Sequence, residues 1–264
     1  MEVDLQKVND LCATQFFKNE IEILNQVKDK VGFPNMLFHF KEQNKYYIAQ
    51  ELFNEGDLSN KVSILTFNEK LAVGLTVMQA ICYLHNQNIM YRDLKLENIL
   101  VHIEQGKKQN DRKIKVALAD FGSCIDLSKQ KINELAGSYT TLSPEQLISE
   151  GKEGGLMADI WSLGIILVQL FESRMSGRSS RLLQEINTKI RIPIQEACST
   201  TNPMTPCIKI AKNWQDQGDN LLTEPTPQTM DHLIWSMLHV NPQKRPDIQT
   251  VCSKYMPLTL MELD

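Results

Sequence analysis

The sequence predicts an α+β fold, with a small strand-containing front part and a larger, mainly helical back part. Three observations predict it. Runs of strand length rich in aromatic and apolar residues, KYYIAQELF at 45–53, a run over 98–103 and IKVALA at 114–119, all fall in the first half of the chain. Apolar residues recurring at three and four positions mark helices at 69–86, 156–172, 228–240 and 247–256. With 264 residues, 42% of them hydrophobic, the chain can bury one large core or two adjoining lobes.

Residues 15–27, QFFKNEIEILNQV, place Phe16, Phe17, Ile21, Leu24 and Val27 near helical spacing, and a break at Gly32 before Pro34 and Asn35 reads as a turn. The strand at 45–53 runs into the loop NEGD. Leu71, Leu75, Met78 and Cys82, with Ala80 and Leu84 beside them, make 69–86 a long amphipathic helix. The charged stretch EQGKKQNDRK, 104–113, reads as a solvated hairpin insert between two strands. ADIWSLGIILVQLF, 158–171, is about fourteen residues long and contains an Asp, which is short for a bilayer span and suits a buried core helix. The segment 173–227 is polar and poorly periodic, and no internal repeat stands out.

The net charge of −4 gives no general reason to expect a nucleic-acid or anionic-membrane partner. The six cysteines are scattered, with no C-x-x-C pair and no zinc spacing. MEVDLQKVND lacks a basic region followed by an apolar stretch, so it does not read as a secretory signal. Together these predict a reduced intracellular setting, cytoplasmic or nuclear.

The chemistry concentrates in IMYRDLKLENILV, 89–101. Two short buried strands around a solvated turn would account for it alone, so the rest of the chain decides. DFG stands at 120–122, twenty-two residues after Asn98 and directly after a predicted strand, and SPE follows at 143–145. An Asp, Lys and Asn on one loop, a second Asp on the next and a closing Pro-Glu match the order of parts that phosphoryl transfer requires.

On those residues the chain resembles the eukaryotic protein kinase family, serine/threonine type, over nearly its whole length. The resemblance implies a two-lobe fold, with a truncated small β lobe at 1–53 and a complete, mainly helical large lobe at 54–264. It implies ATP and Mg²⁺ as cofactors and protein substrates. Asp93 would orient or accept the substrate hydroxyl proton, Lys95 would neutralise the γ-phosphate, and Asn98 and Asp120 would ligate magnesium. Gln50 would be the gatekeeper, Glu51, Leu52 and Phe53 the hinge under adenine, Asp57 a ribose contact and Leu100 the floor of the base site. Glu20 would pair with the strand lysine, Ser138 would touch Asp93 and Lys95, and Asp159 would bond the catalytic-loop backbone. Arg245 would pair with Glu145, while His85 reads as a structural core residue.

Glu134 stands three positions before Gly137, where the family usually carries its activating phosphate, and its carboxylate is expected to pair with Arg92. Glu97 and Asp57 imply a mild preference for substrates with basic residues before the acceptor. The departures lie at the N-terminus. The first glycine is Gly32, so no Gly-rich phosphate loop precedes Glu20. Glu2 sits eighteen residues before Glu20, where the phosphate-binding lysine belongs, and Lys7 only thirteen before it. The expectation is therefore a serine/threonine kinase impaired in this chain, with a non-catalytic pseudokinase acting as an interaction module as the alternative.

Overall fold

The computed structural model describes residues 2–4, 10–43, 45–106, 112–171, 181–227 and 229–261. Strand β1 (Glu2–Asp4), helix α1 (Asp10–Gln26), β2 (Met36–Glu42) and β3 (Lys45–Gln50) form the front part, with the strands in the antiparallel order β1-β3-β2. Phe17 of α1 lies 4.3 Å from the Tyr46 ring and edge-on to His39 at 6.0 Å, so the helix covers one face of the sheet. On the opposite face Phe38, Phe40 and Tyr47 stack in a row. Helix α1 starts upstream of the predicted 15–27. Strand β3 stops three residues short of the predicted 53, because the chain turns there and the Gly56 N–H donates to the Phe53 carbonyl at 3.1 Å.

The next elements are β4 (Gly56–Asp57), α2 (Phe67–Asn86), β5 (Ile89–Met90), β6 (Ile99–Gln105), β7 (Arg112–Leu118) and β8 (Ile125–Asp126). Thr66 and Glu69 close a capping box that starts α2, each satisfying a main-chain donor of the other. Strands β4, β6 and β7 form one antiparallel sheet, and β5 pairs with β8. Both arms of the predicted hairpin run further into the charged insert than expected, with Glu104 opposite Lys113 across the ladder, an opposite-charge pairing that favours extension. Residues 107–111 at its centre lie outside the described residues. Gly32 joins the front part to this sheet: its carbonyl accepts the Leu118 N–H at 2.8 Å. Its φ is +86°, and a Cβ there would stand 2.9 Å from the Ala80 Cβ on α2, so a side chain is excluded twice over.

The back part holds α3 (Pro144–Ile148), α4 (Leu156–Phe171), α5 (Arg181–Ile186), α6 (Ile192–Cys198), α7 (Met204–Gln217), α8 (Met230–Met237) and α9 (Ile248–Met261). Helix α4 is buried almost end to end and is its axis. Helices fill much of 173–227, although the sequence of this segment is polar and poorly periodic. The buried Ile186, Ile190 and Ile194, spaced four apart, form a stripe through α5, a π turn at Asn187–Arg191 and α6. Pro193 and polar neighbours conceal that stripe in the sequence. Residues 172–180 lie outside the described part. Among the described residues, no helix is long and apolar enough to cross a membrane.

Candidate active site

The loop between β5 and β6 is held from below by α4. Asp159, 1% exposed, accepts the main-chain N–H of Tyr91 at 2.8 Å and of Arg92 at 2.9 Å, and its carboxylate also meets the His85 Nε2 at 2.9 Å. The partner a buried Asp requires is therefore present three times over. These bonds clamp Arg92 at φ +77°, a conformation that a non-glycine residue adopts only under constraint. Tyr91, in the place the family usually gives to His, is fully buried, donates its hydroxyl to the Ala119 carbonyl and meets the Phe121 ring edge-on at 5.9 Å.

Above this support three polar side chains converge on one carboxylate, that of Asp93. The Lys95 ammonium donates to Asp93 Oδ2 at 2.7 Å and to Ser138 Oγ at 3.1 Å, and the Ser138 hydroxyl donates to Asp93 Oδ1 at 3.1 Å. Asn98 Nδ2 donates to the Asp93 carbonyl at 2.9 Å and to its Oδ2 at 3.0 Å. The Asn98 amide oxygen is thereby turned away from Asp93. Asp120 stands on the neighbouring loop at φ +59°. Burial, with Asp93 adding a second negative charge, raises its pKa above the ordinary carboxylate value. The Asp120 carboxylate and an Asn98 amide oxygen turned away from Asp93 are oxygen donors of the kind that suit a hard divalent cation.

Glu20 is 3% exposed on α1, and its carboxylate accepts the Phe121 N–H, with no lysine paired to it among the described residues. Burial, then the Asp120 charge, pushes its pKa up to about 8. The side chains of Glu2 and Lys7 lie outside the described residues. Its neighbour Asn19, which sequence reasoning did not single out, donates to the carbonyls of Gly122 and Cys124. Nothing in a lone Asn on a polar helix face would have marked it.

Arg92 and Glu134 also meet differently than expected. The guanidinium donates to the main-chain carbonyl of Glu134 at 2.7 Å, so the hydrogen bond between them bypasses the Glu134 carboxylate. Its Nε is buried without a partner among the described residues. Glu145 and Arg245 form the expected buried pair, with two parallel bonds at 2.7 Å. Arg245 also lies 5.2 Å over the Trp161 ring and donates to the carbonyls of Met157 and His239, both at 2.8 Å.

At the predicted hinge, Gln50 ends β3 opposite Met36, and the Glu51 N–H donates to the Asn35 carbonyl at 2.9 Å. The Glu51 carboxylate is held by Lys115, whose hydrogen bond lowers its pKa. Leu52 is 82% exposed while Phe53 is buried. Leu100 pairs with Asp57 and Ala117 in the ladder. The Asp57 carboxylate accepts the Ser59 N–H at 2.9 Å, and Glu97 is exposed.

The protein kinase domain family matches residues 3–256. The chain is 34% identical over 172 residues to a probable serine/threonine-protein kinase, mkcE, of Dictyostelium discoideum, covering 62% of this chain and 22% of that protein. It is 28% identical over 240 residues to mkcC of the same organism, covering 84% of this chain and 25% of that protein. To the human serine/threonine-protein kinase ULK1 it is 30% identical over 227 residues, covering 81% of this chain and 21% of that protein. The chain thus spans between a fifth and a quarter of the length of these relatives. With the order of motifs, the polar network on Asp93 and this match in agreement, the chain belongs to the protein kinase domain family.

Proposed function

We propose that this chain transfers the γ-phosphoryl group of ATP to serine or threonine hydroxyls of protein substrates. The observation that carries the reading is the convergence of Lys95, Asn98 and Ser138 on the Asp93 carboxylate. Two donors on Oδ2 and one on Oδ1 fix the plane of that carboxylate, as a group that must orient a hydroxyl requires. The substrate oxygen forms its bond to the γ-phosphorus, the bond from that phosphorus to the bridging oxygen breaks, ADP leaves and the hydroxyl proton passes to Asp93. Lys95 is placed to neutralise charge on the transferring group. Asn98 and Asp120 would hold Mg²⁺, which when bound neutralises phosphate oxygens and fixes their orientation. The exposed Glu97 supports a mild preference for basic residues before the acceptor. The alternative reading is a non-catalytic interaction module.

The test is ATP titration with and without Mg²⁺, alongside labelled phosphate transfer to Ser/Thr peptides, for wild type, Asp93→Asn and Asp120→Asn. The expected result is transfer lost in both variants, with metal-dependent affinity reduced only in Asp120→Asn. Wild-type chain without Mg²⁺-dependent ATP binding would overturn the reading in favour of the interaction module.

A further inference from the structure

We propose that Asn19 is the positioning residue that holds the metal loop 120–124 in its working conformation, an inference that rests on the phosphoryl-transfer reading above. Asn19 Nδ2 donates to the Gly122 carbonyl at 3.2 Å and the Cys124 carbonyl at 3.4 Å. Gln15 Nε2, one turn earlier on α1, donates to Asn19 Oδ1 at 2.8 Å and so fixes which end of the amide faces the loop. Next in sequence, Glu20 accepts the Phe121 N–H. One stretch of helix therefore takes a donor from residue 121 and supplies a donor to residues 122 and 124. Only a loop with its N–H and carbonyl groups in this alternating arrangement satisfies both side chains.

The loop needs such a hold. Asp120 sits at φ +59°, a left-handed conformation that a non-glycine residue leaves when it is released. Phe16 closes the adjoining side, since a Cβ on Gly122 would stand 3.1 Å from its ring. Glu20 reads the loop at the N–H groups of Phe121 and Gly122, on the near side of the turn. Asn19 grips the far side, after Gly122, and so limits how far the Asp120 carboxylate swings from Asn98. In this way the position of α1 is transmitted to the metal ligand through main-chain groups of residues 121–124.

The experiment compares wild type with Asn19→Leu, which keeps the volume and removes the donor, and Asn19→Gln, which restores a carboxamide. Hydrogen exchange of residues 119–126 is read against that of α4, and ATP affinity is measured with and without Mg²⁺. In Asn19→Leu, exchange over 119–126 should accelerate about tenfold, as expected for losing a shared hydrogen bond, with α4 unchanged. The Mg²⁺-dependent gain in ATP affinity should fall by a similar factor, metal-free affinity should hold, and Asn19→Gln should recover part of both. Unchanged exchange over 119–126 overturns the proposal, as does acceleration shared equally by α4, which marks plain destabilisation. If wild type shows no Mg²⁺-dependent binding, the phosphoryl-transfer reading fails, and the exchange comparison still decides the clamp on its own.

Discussion

Replacing Asp159 by Ala removes the acceptor of three buried donors at once, the N–H groups of Tyr91 and Arg92 and the imidazole of His85. A donor left unsatisfied in the interior costs about 1–3 kcal/mol. The space vacated by the carboxylate admits water, which recovers part of that cost, so the sum falls to about 3–5 kcal/mol. The total stability of a domain is about 5–15 kcal/mol, so this is a large fraction. Trp161, on the same helix, and Trp214, packed against it from α7, are each 1% exposed, and their fluorescence reports the loss of the core directly. Urea unfolding of wild type, Asp159→Ala and Asp159→Asn is the assay. The Asn variant keeps one oxygen and turns its NH₂ toward a main-chain donor, so it should lose about half as much as Ala. Phosphoryl transfer should fail in both, because Arg92, freed from φ +77°, carries Asp93 with it. A loss below about 1 kcal/mol in Asp159→Ala would refute the reasoning, since it would mean that the three donors find other partners.

Glu145→Ala should cost about 3–5 kcal/mol in urea unfolding, because Arg245 stays buried with only carbonyl partners, and the double variant with Arg245→Met should cost less than the sum of the singles. Gly137→Ala places a Cβ against the Arg92 carbonyl oxygen at φ +107°, and it should destabilise by at least about 2 kcal/mol while displacing the adjoining Ser138. Glu20 has a folded-state pKa raised from 4.5 to about 8, so the folded chain keeps a proton that the unfolded chain releases. That contribution is complete below pH 4.5, falls as pH rises towards about 8 and then levels off. Because α1 can shift and admit water, the loss should be about 1–3 kcal/mol, and Glu20→Gln should flatten the slope between pH 6 and 8 in urea titrations.

The parts of the site legible in the sequence are those written as contiguous motifs. Asp93, Lys95 and Asn98 share one loop, and their mutual bonds follow from a spacing that any chain with that loop would repeat. The buried pairs Asp159 with the catalytic loop and Glu145 with Arg245 were legible only through resemblance, since nothing local links residues 100 apart. What the sequence hid was the direction of polar contacts. Glu134 offers two groups to Arg92, a carboxylate and a carbonyl, and one-dimensional information favours the charge where the fold uses the carbonyl. Glu20 likewise reads as half of an ion pair, whereas its burial, with the Asp120 charge nearby, favours a proton. The helices of 181–217 were missed for a packing reason: their apolar stripe is narrow, interrupted by Pro193 and broken across a π turn.

The bond between Glu145 and Arg245 also sets a clock on synthesis. A ribosome adding about 5–20 residues per second needs several seconds to travel from one partner to the other. During that interval Trp161 lacks the cation that lies over its ring, and α4 is a long apolar helix without α8 beside it. The nascent chain therefore displays its most hydrophobic segment until residue 245 has emerged, and the buried Glu145 waits for its counter-charge on a single arginine from far downstream.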